Sequence, residues 1–99
     1  MKSFRVTNVV DGDTFEVSPN WKWNDQTGCR VRPTGYDTPE EGQYGFEAAK
    51  RKLAGLILGK NVQLGSAYKV DRGRLVCDIY LNGHNLAAYF PEYQLGRVR

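Results

Sequence analysis

The sequence predicts a β-barrel with helices. This is an α+β domain of five strands, with an amphipathic helix between the third and fourth and a short helix at the carboxyl end. Three observations carry this expectation. Apolar and polar residues alternate on both sides of Asp11-Gly12-Asp13, the pattern of a hairpin. One stretch, Tyr44 to Leu58, repeats its apolar residues at helical spacing. Two more strand-like runs follow it, separated by turn-forming residues.

Taken in order, Phe4, Val6 and Val10 share one parity before the Asp11-Gly12-Asp13 turn, and Thr14-Phe15-Glu16-Val17 alternates again. Ser18 to Gly28 is rich in Pro, Asn, Asp, Gln and Gly and reads as a loop before a third strand from about Cys29 to Gly35. Pro33 should bend that strand or place it on an edge. In the helix, Phe46, Ala49, Leu53, Leu56 and Ile57 fall on one face and Glu47, Lys50, Arg51 and Lys52 on the other, with Gly59 as the stop. Asn61 to Leu64 and Leu75 to Tyr80 are the remaining strands. Asn82-Gly83 is a turn, and a short helix from about Asn85 to Phe90 ends at Pro91. A five-stranded, partly open barrel of the oligonucleotide-binding type has this order of elements.

The 99 residues, 40% of them hydrophobic, suffice for one core, so residues 1–99 are read as a single domain. No apolar run approaches the roughly eighteen residues of a membrane span. Met1 to Arg5 lacks the apolar stretch of a secretory signal, the pattern of a cytoplasmic protein or of a processed exported one. A net charge of +3 favours polyanionic partners through long-range attraction. Cys29 and Cys77 are far apart and His84 is the lone histidine, which argues against zinc and leaves oxygen ligands for any metal.

Hydrolysis of a phosphodiester needs an attacking water, neutralisation of the charge that builds on the phosphate oxygens, and help for the departing oxygen. Carboxylates, guanidiniums and a hard cation are the natural parts. The chain offers Asp11-Gly12-Asp13-Thr14, then Arg32 followed by Asp37-Thr38-Pro39-Glu40, then Asp71-Arg72-Gly73-Arg74. In this combination and order, from about Val9 to Leu86, the sequence resembles the staphylococcal nuclease, or thermonuclease, family.

The resemblance implies a calcium-dependent nuclease that cleaves DNA or RNA by water attack and leaves 3′-phosphates, with single strands preferred. By the same resemblance Asp13, Asp37 and the Thr38 backbone carbonyl are calcium ligands, suited to a cation that takes roughly six to eight oxygens. Glu40 orients or deprotonates the attacking water, and Arg32 and Arg74 grip the scissile phosphate. Nuclease-like domains of this family also occur as modules that bind nucleic acid or partners without cutting, typically with part of this residue set lost; all of it is present here. The expected partner is nucleic acid, the expected state a monomer, and no membrane is involved.

The sequence also departs from the family's pattern. The Asp71 to Arg74 turn is one residue shorter than usual and lacks a tyrosine, and its Arg72 is a candidate for substrate contact; the link from Glu40 to the helix is short and the long carboxyl-terminal helix is largely missing. Trp21-Lys22-Trp23 in the segment after Val17 suits stacking on unpaired bases, and equally suits a hairpin tip packing its tryptophans on the barrel. Tyr89, Tyr93 and the basic end Arg97-Val98-Arg99 are further candidates for substrate contact. If the strands bearing Arg32 and Arg74 pair antiparallel, Cys29 and Cys77 face each other. Both would then point into the barrel as buried free thiols.

Overall fold

A computed structural model describes residues 2–94. Strands β1 (Lys2–Asp11), β2 (Thr14–Trp23) and β3 (Gln26–Pro33) precede one helix, α1 (Phe46–Ile57). After it come β4 (Asn61–Asp71), β5 (Arg74–Leu81) and the two-residue β6 (His84–Asn85). The sheet runs β3-β2-β1-β4-β5-β6, and an additional parallel pairing of β3 with β5 closes the first five strands into a mixed barrel. This architecture is compatible with the oligonucleotide-binding type of barrel. β6 adds a two-residue strand to the five that the sequence predicts.

Local chemistry explains where expectation and structure part. In β1 a register shift between Val6 and Asn8 adds a residue to one side of the ladder. The inward parity therefore passes from Phe4 and Val6 to Val9, and Val10 is left half-buried. The segment from Ser18 to Gly28 is not a loop. β2 continues to Trp23 and returns through Asn24 and Asp25, both with positive φ (51° and 65°), the backbone of a type I′ hairpin that these two residue types tolerate. A break in register between Glu16 and Trp21 accommodates Pro19, which has no N–H to give the ladder. Pro33 is the last residue of β3 rather than a bend within it.

Helix α1 turns Ala49, Leu53 and Ile57 into the core, carries Glu47 in its first turn, and lies against β1. It stops at Gly59, whose φ of 78° and N–H bond to the Val6 carbonyl, 2.9 Å, turn the chain back toward the barrel. The carboxyl-terminal helix is not α-helical. Two 3₁₀ turns, Leu86–Tyr89 and Pro91–Tyr93, occupy its place, the first capped by the Asn85 side chain accepting from the Ala87 N–H at 2.9 Å. Phe90, immediately before Pro91, is held out of helical geometry, which divides the segment. Its ring is nonetheless fully buried and stacks on Tyr36 at 4.3 Å, the planes only 6° apart.

The antiparallel register expected for the arginine-bearing strands is overturned. β3 and β5 run parallel, with Arg30 opposite Arg74 and Arg32 opposite Val76, so Cys29 does not face Cys77. Both thiols are free, Cys77 buried and Cys29 half-buried.

Candidate functional site

The site is assembled at one end of the barrel from three turns. In the β1–β2 turn the Asp13 N–H donates to the Asp11 carboxylate at 3.0 Å, a side-chain-to-backbone closure that turns the Asp13 carboxylate toward the segment after β3. That segment is fixed from several sides. The Tyr36 hydroxyl donates to the Gly12 carbonyl at 2.9 Å, the Thr38 N–H donates to Asp13 Oδ2 at 3.3 Å, and the Asp37 N–H donates to the Tyr93 carbonyl at 2.8 Å. Tyr36 also forms a bridge with Gln94. Gly12 makes the closeness possible: a Cβ there would lie 2.6 Å from Thr38 Oγ1 and 2.7 Å from the Ala49 Cβ.

Asp11, Asp13, Arg32, Asp37, Glu40, Arg72 and Arg74 line a pocket of about 210 Å³. One Arg32 Nη spans two carboxylates, 3.0 Å from Asp37 Oδ1 and 3.5 Å from Asp13 Oδ2. Arg74 is held by its own turn: Nη2 to Asp71 Oδ2 at 3.2 Å, Nε to the Asp71 carbonyl at 3.3 Å, and Nη1 to the buried Thr14 hydroxyl at 3.1 Å. Glu40 is exposed. Its backbone N–H is bound by the Gln43 side chain at 2.7 Å, and its carboxylate has no hydrogen-bond or ion-pair partner among the described residues.

The electrostatics of the pocket are unbalanced. Burial of the Asp13 carboxyl, then its contacts with Asp37 and Asp11, push its pKa from 3.8 up to about 7 against the opposing pull of Arg32. Burial also holds the Tyr36 phenol well above its ordinary value, with Asp13 and Asp11 adding to the effect. The pocket therefore disfavours a further bare negative charge at Asp13 and favours a positive one beside it. Among the described residues no group of three or more His, Cys, Asp and Glu side chains is placed to hold a metal ion. A cation here would have the Asp13 and Asp37 carboxylates available and would need backbone, water or substrate oxygens to complete its shell. Thr38 Oγ1 is buried without a hydrogen-bond partner in the same corner.

No model of a protein family matches this chain. A micrococcal nuclease of Shigella flexneri is 36% identical over 76 residues, 76% of this chain and 40% of that protein. Protein ParB of Escherichia coli is 30% identical over 77 residues, 78% of this chain and 41% of that protein. This chain is similar to a nuclease. It spans about two fifths of the length of the curated relatives it matches.

The other sequence candidates lie elsewhere. Trp21 is buried in the core, its ring over Gly28 and its indole N–H bonded to the Arg30 carbonyl at 2.8 Å, so it is not a surface stacking residue. Trp23 is half-buried at the far tip of the β2–β3 hairpin, in a hollow it shares with Lys22 and Thr27. Tyr89 lines a separate depression with His84, and Tyr93 packs at 6.1 Å from the Phe90 ring; neither lines the carboxylate–arginine pocket. Arg97, Val98 and Arg99 lie outside the described residues. Sequence reading missed Tyr36 and Asp71, which position other members of the site, and took Asp11 for a turn residue only. The signal available was their adjacency to Asp37, Arg72 and Gly12.

Proposed function

We propose that this chain is a calcium-dependent nuclease that hydrolyses phosphodiester bonds of DNA or RNA, single strands preferred, and leaves 3′-phosphates. The observation that carries the reading is the lining of one small pocket by Asp13, Asp37, Arg32, Glu40 and Arg74 in a chain similar to a micrococcal nuclease. Asp13, Asp37 and the Thr38 carbonyl are the residues that would hold calcium; when bound, it supplies neutralisation of phosphate charge and a more acidic water.

The chain's own residues account for the rest. Glu40, solvent-facing and without a carboxylate partner among the described residues, orients the attacking water and accepts its proton. Arg32 turns from the two aspartates toward a phosphate oxygen, and Arg74, braced by Asp71 and Thr14, presents a guanidinium whose bonds strengthen as charge grows on the phosphorus oxygens. Arg72 adds positive charge at the pocket rim for the neighbouring phosphate.

Digestion of single-stranded DNA tests this. Cleavage is expected in calcium, lost with chelator, and lost in Glu40→Gln and Arg74→Ala. Cleavage insensitive to chelator or to both substitutions defeats the mechanism, and strand binding without cleavage makes the chain a binding module.

A further inference from the structure

Outside the pocket, the outer face of β4 and β5 carries a feature that no role above absorbs. Tyr68 is a large aromatic residue 57% exposed, and no other ring or cation is stacked on it among the described residues. It stands at a register irregularity, between Ala67 opposite Cys77 and Lys69 opposite Val76. A bulge of this kind redirects a side chain out of the ladder.

The ring is also held. Its hydroxyl donates to Asp78 Oδ2 at 2.9 Å, while the Thr34 hydroxyl donates to the other Asp78 oxygen at 2.5 Å. The bond to Asp78 raises the phenol above its ordinary pKa. An exposed aromatic ring with its polar end tied down loses little rotamer freedom when something stacks on it. Thr34 and Lys69 line a hollow of about 310 Å³ whose wall includes Arg32, the residue that also lines the carboxylate–arginine pocket. Tyr68 does not itself line the hollow; it is tied to its wall through Asp78, which the Thr34 and Tyr68 hydroxyls both bond, and the hollow holds Arg32 and Lys69 to meet phosphates.

We infer that Tyr68 is a base-stacking platform: a single-stranded nucleic acid whose phosphate lies at Arg32 and Arg74 runs over the hollow, and one unpaired base rests on the Tyr68 ring. This rests on the function proposed above and specifies its substrate as a strand with free bases. A stacking face suits any base, so the grip is independent of sequence.

The test uses two octanucleotides of equal charge, one of ordinary deoxynucleotides and one with every base removed. Affinities are measured in calcium on the full chain carrying Glu40→Gln to prevent turnover, alone and with Tyr68→Ala or Tyr68→Phe. Tyr68→Ala is expected to weaken the base-bearing strand on the order of tenfold and to leave the baseless strand unchanged, with Tyr68→Phe retaining most of the affinity. With Glu40 restored, Tyr68→Ala should raise KM by a similar factor and leave kcat nearly unchanged. Equal weakening of both strands, or none of either, overturns the inference. Binding of strands that the native chain does not cut refutes hydrolysis while the Tyr68 comparison still stands or falls on its own; no binding of either strand refutes both.

Discussion

The Tyr36 hydroxyl donates to the Gly12 carbonyl at 2.9 Å, a single buried bond that ties the turn bearing Asp13 to the segment bearing Asp37. The two carboxylates are brought together through it. Removing the hydroxyl in Tyr36→Phe leaves the Gly12 carbonyl without its partner, at a cost of about 1–3 kcal/mol. Urea unfolding should show a lower midpoint at unchanged slope. Calcium affinity, read by isothermal titration, should fall with it; an unchanged affinity would mean that the two turns hold their places independently.

Arg32 occupies the position between Asp13 and Asp37 that a cation would share. Arg32→Ala is therefore expected to lower kcat by on the order of 10²–10³ through loss of a transition-state donor, yet to leave calcium affinity equal or stronger. Parallel loss of both would assign Arg32 to building the site instead.

Asp13 links stability to pH. Its carboxyl binds a proton more tightly in the folded chain than when unfolded, so its stabilising contribution is complete below 3.8 and is lost as the pH rises through about 7. In chelator, the melting temperature of the native chain relative to Asp13→Asn should fall across that window. If calcium binds at Asp13 in place of the proton, it should reverse the loss most strongly at the alkaline end. A difference between the two proteins that is flat with pH would refute the assignment.

Gly12 admits no side chain. In Gly12→Ala the added methyl would meet Thr38 Oγ1 and the Ala49 Cβ, and the shift needed costs about 1–3 kcal/mol. Thermal unfolding measures this, and a mutant as stable as the native chain would show that α1 can move away freely.

The two thiols should separate cleanly in a disulfide-exchange titration. Cys77 is buried in the barrel, which pushes its pKa up to about 12, and the thiolate is the reactive form. Cys29 is half-buried. One thiol should react in the native protein and both after denaturation; two fast thiols, or none after unfolding, would contradict the structure.

Helix α1 and the strands around Asp11-Gly12-Asp13 and Asn82-Gly83 were legible because their signals are local: a 3.6-residue apolar stripe, a two-residue alternation, and residues that accept positive φ. The extension of β2 to Trp23 was not, because the turn-prone composition of residues 18–28 describes a loop and a hairpin equally well until Trp21 finds the core and packs on Gly28.

The sequence by itself determined the residue types of the site, their order, and the barrel with one amphipathic helix. Only the tertiary structure decided that β3 and β5 close the barrel in parallel, which set Arg30, not Arg32, opposite Arg74 and left the thiols apart. It also decided that Arg32 rests between two aspartates, that Arg74 leans on Asp71 and Thr14, and that Tyr36 and Phe90 brace the Asp37 segment from the carboxyl-terminal side. The contacts of Arg32 with Asp13, of Arg74 with Thr14 and of Tyr36 with Phe90 join residues far apart in the chain, and their strength comes from burial that exists only once the barrel is closed.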